Sequence, residues 1–329
     1  MLIIIIFIAK RAMNIFNFIQ QFPDENACRL KFKELRDNIS IICDKCNCTE
    51  HYWHDNKFCY ECEHCHHRKS LRSGTVMQSS KLPFRYWFVA MHLLTCTKKS
   101  FSIEELRRQL GHKRYQPIWE MINKLGDVMG KRDNEYQLSG QMELDEGFFT
   151  TEIPLEQKNK PLKRGRGSQC KSKVLVMAES TFVENPKKGR KPKRVSHIKM
   201  IVINDLKSNT ITDVVKEQVD KSAELITDDS TSYSKLKKHV KSHKAAVVKS
   251  DLIPTILPWV HIAISNAKRL FLCMHHKLKN EYLQYYLNVY CYKFNRRYYG
   301  DKIFDRLLIT AVSYTPDFKS KIYNRTLCG

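Results

Sequence analysis

The sequence predicts an α/β protein whose mixed sheet follows a small cysteine-rich module and a helical region. Three observations carry this prediction: two closely spaced cysteine pairs, a helix–glycine–helix outline after them, and a run of strand-like segments that later alternates with helices. At 329 residues the chain is long enough for two or three compact units. We expect a helical segment at 13–42, the cysteine module at 43–80, a helical region at 81–135 and the α/β domain at 140–315.

The first predicted element is a pair of short helices. Apolar residues recur at helical spacing from Met13 to Arg36, and Pro23 separates the two runs. The apolar stretch at 2–9 is too short to span a bilayer. Its positive charges follow it instead of preceding it, so it makes a poor signal peptide. We therefore expect translation to start naturally at Met13, and we expect no membrane partner.

Two cysteine pairs follow the helices. The pattern is Cys43-x2-Cys46 and, after fifteen residues, Cys62-x2-Cys65. Paired cysteines at this spacing are typical of a zinc ribbon, in which four thiolates hold one tetrahedral Zn²⁺. A ribbon is too small to bury a useful core, so the metal would supply its folding energy.

The next region is predicted to be helical. Leu82–Thr95 is an apolar, aromatic-rich stretch after Pro83, and a capping box at 102–105 opens a second helix that Gly111 ends. A third helix starts near Arg114. This outline fits a DNA-binding helix-turn-helix, and equally an ordinary αα-hairpin. If it reads DNA, the start of its second helix would face the groove, with Lys113, Arg114, Tyr115 and Gln116.

The charge favours a polyanionic partner. Lys and Arg number 57 against 34 Asp and Glu, which gives a formal net charge of +23 and a pI near 9.5. Two basic, Gly- and Pro-containing stretches, at 158–167 and 187–194, suit loops that follow a phosphate backbone. The first contains Lys163, Arg164 and Arg166. The alternative is that both are merely solvated loops.

The remaining elements predict one α/β domain. Strands are expected at 141–149, 173–179, 199–204, 223–227 and 245–248, and helices at 210–219, 230–240, 261–274, 280–294 and 301–312. The order begins β-β-β-α-β-α-β-α. Three consecutive strands would form an antiparallel meander, and the later βα units would add parallel strands.

Two acidic sites in this domain suggest a metal centre. Asp145 lies in the first strand with Glu143 on the same face, and Asp228 falls where the fourth strand ends. Carboxylates at these places suit Mg²⁺, and two such ions can support phosphodiester displacement. The alternative for the second site is helix capping, with Asp229 as the better cap.

Several motifs in order give the chain a family resemblance, from about Met13 to about Leu308. They are Phe22-Pro23-Asp24-Glu25, the cysteine pairs, Arg72-Ser73-Gly74-Thr75, Ser80-Lys81-Leu82-Pro83-Phe84-Arg85-Tyr86-Trp87, Glu143-Leu144-Asp145-Glu146-Gly147, Lys163-Arg164-Gly165-Arg166-Gly167, Trp259-Val260-His261-Ile262, Ser265-Asn266-Ala267-Lys268-Arg269 and Phe294-Asn295-Arg296-Arg297. The chain resembles zinc-ribbon DDE transposases of bacterial insertion sequences, the ISXO-like group related to Merlin transposons.

The resemblance implies an RNase H-like catalytic domain in which Asp145 and Asp228 hold Mg²⁺. The third ligand has two candidates. Relatives that use Glu place it seven residues before a Lys, the position of His261 before Lys268, whereas other members are described by Asn and Lys, matching Asn266 and Lys268.

The implied function is transposition: binding of double-stranded DNA at the element ends, Mg²⁺-dependent cleavage, and joining to target DNA. Such a protein is expected in the cytoplasm, associated with the nucleoid, and as a homo-oligomer in a synaptic complex. Two alternatives stay open. One is a DNA-binding regulator or decayed copy without catalysis, and the other is an RNase H-like nuclease that cuts without joining.

Overall fold

The computed structural model describes residues 13–98, 101–154, 157–186, 189, 192–246, 256–274, 278–300 and 302–318. The expected upstream extension at 1–12 lies outside these residues. The chain forms two compact units, one made of the sequence up to Met129 together with that from Arg296, and the other of Gly130–Asn295. Within the described residues, no helix combines the length and hydropathy needed to cross a membrane.

The first unit contains helices and a small antiparallel sheet. Its two N-terminal helices flank Pro23 as predicted, and the Asp24 carboxylate caps the second by accepting the Ala27 amide at 2.8 Å. The elements are α1 (Ile15–Gln21), α2 (Glu25–Asp37), β1 (His51–His54), β2 (Cys59–Cys62), β3 (Arg68–Ser70), α3 (Phe84–Cys96), α4 (Ile103–Gln109), α5 (Tyr115–Asn134, which continues into the second unit) and α9 (Lys302–Ser313).

The last helix, α9, belongs to the first unit, although its place in the chain suggested the sheet domain. Its Ala311 carbonyl accepts the Val76 amide at 2.9 Å. Its Phe304 ring lies 5.8 Å from Phe18 and 6.2 Å from Phe88. Aromatic side chains of α1, α3 and α9 therefore form a core that holds this helix in the first unit. Contacts between residues so far apart in the chain cannot be predicted from a local sequence pattern.

The second unit is a mixed α/β domain around a five-stranded sheet of order β6-β5-β4-β7-β8. β4, β5 and β6 form an antiparallel meander, while β7 pairs in parallel with both β4 and β8. The predicted antiparallel meander and the predicted later parallel strands are both confirmed. The elements are β4 (Gln141–Thr150), β5 (Lys171–Phe182), β6 (Lys193–Ile203), α6 (Ser208–Gln218), β7 (Glu224–Asp228), β8 (Ser242–Ala246), α7 (Pro258–Met274) and α8 (Asn280–Asn295).

One predicted helix of this unit is wrong. Residues 230–240 form two short 3₁₀ turns, Thr231–Tyr233 and Leu236–Lys238, and not an α-helix. Tyr233 and Leu236 are both buried, and a spacing of three residues suits the 3₁₀ repeat. Ser230, not Asp229, caps the first turn. The last predicted strand also lies earlier than expected, and residues 247–248 are outside the described part of the chain.

Helices cover both faces of the sheet. One core contains Val174 and Val176 of β5 with the buried faces of α7 and α8, including Ala263 and Leu287. The other packs Leu144 and its neighbours against α6 and the 3₁₀ turns. Because both faces of the central strands are buried, a polar side chain there needs a hydrogen-bond partner or a ligand.

The buried carboxylate of Glu179, in β5, accepts hydrogen bonds from the segment that precedes β4 and from β6. It accepts hydrogen bonds from the Tyr136 hydroxyl and the Ser139 amide, both at 2.9 Å, and from the Ser196 hydroxyl at 2.5 Å. Burial alone would raise the pKa of Glu179, but the neighbouring His197 and the hydrogen bonds from Ser196, Ser139 and Tyr136 lower it to about 2.

We expect Glu179→Gln to lower the free energy of unfolding by about 2–3 kcal/mol at pH 7. The folded pKa lies below the ordinary value of 4.5, so this contribution is present above about pH 4.5 and is lost as the pH falls towards 2. Urea titrations of both proteins at pH 7 and pH 3 measure the difference. An equal difference at both pH values would contradict the assignment.

Candidate active site and metal centres

Three carboxylates meet where β4 and β7 separate. β4 and β7 pair from Gln141 opposite Glu224 to Glu143 opposite Ile226, and the same register carried forward sets Asp145 beside Asp228. One carboxylate oxygen from each of Asp145, Glu146 and Asp228 lies within 4.8 Å of the others. These two strands therefore bring the two predicted aspartates together.

Glu146 is the member of this cluster that the sequence interpretation missed. Strand alternation assigned Glu146 to the face opposite Asp145. Because β7 stops pairing with β4 at Glu143, the edge of β4 beyond that residue is open, and side chains from both faces reach Asp228. The Asp145 carboxylate also accepts the Glu146 amide at 2.7 Å. The available signal was an acidic neighbour of Asp145 in a largely buried strand.

Glu143 has a different role from the one its position suggested. A mid-strand acid predicts a cation or basic partner, but Glu143 accepts the backbone amides of Trp259 at 2.7 Å and Val260 at 3.0 Å. These amides belong to the first turn of α7, where no intrahelical acceptor exists and the helix dipole favours a negative charge. Glu143 thus fixes the start of α7 against the sheet.

α7 brings His261, one of its three predicted residues, to the carboxylates. The His261 Nε2 atom lies 3.4 Å from the nearer Asp145 oxygen. Burial and the charge of Lys268 lower the pKa of His261, which favours the neutral imidazole that binds metals. Burial and Lys171 lower the pKa of Lys268, while Asp145 raises it. Asn266 is exposed and lies about 140° around the helix from His261.

Replacing Glu143 tests how α7 is positioned. We expect Glu143→Ala to lower the free energy of unfolding by about 2–3 kcal/mol, because two helix amides lose a charged acceptor. Cleavage should fall by up to about 10²-fold as His261 and Lys268 shift. Glu143→Gln keeps one carbonyl acceptor and should recover part of both losses. Thermal unfolding and a nicking assay measure them, and an Ala variant as stable as wild type would refute this role.

The field at the cluster is strongly negative. Tyr233, which follows Asp228 in the first 3₁₀ turn, is buried. Burial, and then the charges of Glu146, Asp145 and Asp228, raise the pKa of Tyr233 far above its ordinary value. The hydroxyl therefore stays protonated. Three carboxylates form a hard oxygen donor set that suits a divalent cation, and the neutral imidazole of His261 adds a softer nitrogen donor.

The four predicted cysteine ligands form a second cluster, in the first unit. The Sγ atoms of Cys43, Cys46, Cys62 and Cys65 lie within 4.8 Å of one another, with Sγ–Sγ distances of 3.5 Å for Cys43–Cys65 and 3.4 Å for Cys46–Cys62. A tetrahedral zinc with bonds of about 2.3 Å would set sulfurs about 3.8 Å apart, so the site fits the ion. The Lys45 amide donates to Cys43 and lowers the pKa of that thiol.

The predicted DNA-reading residues lie at the turn between α4 and α5. Lys113, Arg114 and Tyr115 are exposed and Gln116 is partly so. Arg107 holds the turn, since it pairs with Glu104 at 2.6 Å and donates to the His112 carbonyl at 2.7 Å. A groove of about 660 Å³ beside the turn is also basic, and its cationic lining residues are Lys81, Lys113, Arg114 and Lys124.

The basic loop between β4 and β5 is held by Gln169. Its side chain accepts the Lys163 amide at 2.9 Å and donates to the Pro161 carbonyl at 2.8 Å. Lys163 and Arg164 are exposed, whereas the side chain of Arg166 is outside the described part of the chain. In the second basic stretch, residues 187, 188, 190 and 191 likewise lie outside it.

The second unit is similar to a known domain family. The model of the ISXO2-like transposase domain family matches residues 137–295, which include the carboxylate cluster and α7. A solved structure described as a pre-cleavage Mos1 transpososome is similar at 11% identity, covering 74% of this chain and 82% of that one. Its TM-score of 0.28 is too low to establish a common fold. No curated protein matches the chain.

Proposed function

We propose that this chain, whose residues 137–295 match the model of the ISXO2-like transposase domain family, cleaves the ends of its own mobile element and joins them to target DNA. The observation that carries the proposal is the meeting of Asp145, Glu146 and Asp228 within 4.8 Å in that domain. We propose Mg²⁺ as the metal and an RNase H-like architecture for the unit. The β-β-β-α-β strand order supports the latter.

The carboxylates would hold the cations, with His261 as a further ligand. Bound Mg²⁺ would activate the attacking oxygen and stabilise the leaving oxygen of the phosphodiester. Because α7 offers a neutral imidazole, two aspartates alone would give the site only two negative charges. Glu146 adds a third, which supports the binding of hard divalent ions.

Other residues of the chain would orient the reacting strand. Lys268 lies two helical turns beyond His261, and the charge of Asp145 raises its pKa, so its ammonium can contact a phosphate next to the carboxylates. Glu143 keeps the helix that carries both residues in place. The pre-set positions lower the entropic cost of bringing the DNA strand to the cluster.

The first unit would supply DNA recognition. We propose a zinc ribbon at the four cysteines and a helix-turn-helix at α4 and α5, and the basic surface at Lys113 and Arg114 supports binding to phosphates. The two ends of an element must be brought together, so we also propose a homo-oligomeric synaptic complex. The exposed Lys163 and Arg164 would follow the DNA backbone.

Strand transfer into a plasmid tests this function. The purified chain is incubated with pre-cleaved element ends, Mg²⁺ and supercoiled plasmid, and the products are sized. Joined products are expected. Nicks without joining would instead indicate a nuclease, and binding without either would indicate a regulator.

The choice between His261 and Asn266 has its own test. We expect His261→Ala to reduce cleavage by about 10²-fold or more, because it removes a group 3.4 Å from Asp145. Asn266→Ala, on the exposed side of the same helix, should stay within about 3-fold of wild type. Cleavage rates at saturating Mg²⁺ compare the two. The reverse order of effects would assign the ligand to Asn266.

A further inference from the structure

A polar groove lies at the end of the sheet where β4 and β6 stop and β5 begins. Its volume is about 290 Å³, and its lining includes Thr151, Lys171, Ser172, Lys173 and Asn280. None of the lining residues that the structure describes is acidic. The groove is walled by the basic loop, whose Gly167, Ser168 and Gln169 also line it.

The floor of the groove is a fixed hydrogen-bond network. The hydroxyls of Thr151 and Ser172 lie 2.8 Å apart, and Ser172 donates to the side-chain Oδ1 of Asn280 at 2.7 Å. That bond leaves the Asn280 amide NH₂ group as a donor. Asn280 is also the first residue of the 16-residue helix α8, whose N-terminus carries the positive end of its dipole.

Two lysines give the groove its charge. Lys171 is exposed and Lys173 is partly buried, with its ammonium donating to the Asn204 carbonyl at 3.2 Å. Neither lysine forms an ion pair with another described residue. The charge of Lys171 lowers the pKa of Lys268, and the charge of Asp145 raises it. Lys268 therefore adds a positive charge between the groove and the carboxylate cluster.

The distance to the cluster sets what the groove can bind. Lys171 pairs with Thr150, five residues along β4 from Asp145, which corresponds to about 17 Å at about 3.3 Å per residue. Phosphates of one strand advance by about 3.4 Å along the axis of a duplex and also wind around it, so successive phosphates are about 6–7 Å apart and this distance spans about three nucleotides. We infer that the groove binds the backbone of duplex DNA about three nucleotides to one side of the reacting phosphodiester.

This inference rests on the proposed transposase function and adds a second contact point for the same substrate. The two contacts would fix the direction of the strand through the site, because the lysine groove lies on one side of the carboxylates. Asn280, Ser172 and the lysines would bind phosphate oxygens without reading bases. The contribution is therefore expected to be independent of sequence and sensitive to salt.

Position-specific neutralisation of the DNA tests the inference. Each DNA substrate carries one uncharged methylphosphonate at a different position around the cleavage site. Its affinity is measured for the wild-type protein and for the Lys171→Ala/Lys173→Ala variant. We expect wild type to lose about 3- to 10-fold in affinity at positions near the third nucleotide on one side. The double variant should be insensitive there, and its log K versus log salt slope should fall by about two.

The matched control is Lys237→Ala/Lys238→Ala, which removes two exposed lysines from a 3₁₀ turn of the same unit. It should keep the position-specific loss of wild type. If the control and groove variants lose affinity equally, or if the groove variant keeps the position-specific loss, the inference is wrong. The proposed function is checked separately with Asp145→Asn. If cleavage depends on Asp145, the proposed function holds even when the inference about the groove fails.

Discussion

Asp145→Asn and Asp228→Asn should each reduce cleavage of element ends by at least about 10³-fold. Either change removes one negative charge from a cluster whose carboxylate oxygens lie within 4.8 Å. Weaker metal binding that costs the transition state about 4 kcal/mol accounts for this factor. Rates are measured on labelled duplex ends over a series of Mg²⁺ concentrations.

Two comparisons keep this result specific. Asp229→Asn alters an exposed neighbour of Asp228 and should stay near the wild-type rate. Binding of element ends without Mg²⁺ should survive in all three variants, because the proposed recognition surface lies in the other unit. If Asp145→Asn cleaves at the wild-type rate, the carboxylate cluster is not the catalytic site.

The second large effect concerns the cysteine cluster. Cys62→Ser, or treatment with a zinc chelator, is expected to unfold the three-stranded sheet β1–β3 and to abolish binding of element ends. Structural zinc contributes about 10 kcal/mol or more to small domains of this kind, which exceeds what so short a sheet can supply. Metal content and hydrogen exchange of residues 43–70 are the measurements.

Cys48→Ser is the control for that experiment. Cys48 lies two residues from Cys46 but outside the four-sulfur cluster, so its replacement should leave about one equivalent of zinc and a protected sheet. A Cys62→Ser protein that keeps a full equivalent of zinc would contradict the assignment, as would equal zinc loss in the Cys48 variant.

Local patterns predicted the elements that carry the site. Alternating apolar residues located β4 and β5, and the acidic pair after the apolar run at 223–227 located the end of β7. The strand pattern only suggested a metal site at the two acidic positions, and the family resemblance paired Asp145 with Asp228. The family motifs on α7 pointed to Lys268 and left His261 and Asn266 as alternatives for the third ligand.

The features that could not be predicted from the sequence depend on where two strands stop pairing and on packing between residues far apart in the chain. Glu146 joins the cluster only because β7 leaves β4 after Glu143, and nothing local to β4 encodes that separation. Glu143 caps a helix more than 110 residues away. The position of α9 is set by an aromatic core with α1 and α3, and the segment at 230–240 follows the burial of Tyr233 and Leu236.

The most direct test of the metal site is an anomalous diffraction measurement on the full chain bound to element-end DNA and soaked in Mn²⁺, which substitutes for Mg²⁺ and scatters anomalously. We expect at least one peak within about 2.5 Å of carboxylate oxygens from both Asp145 and Asp228, with Glu146 or His261 completing the coordination. A crystal that cleaves its DNA while the metal binds elsewhere would contradict the account.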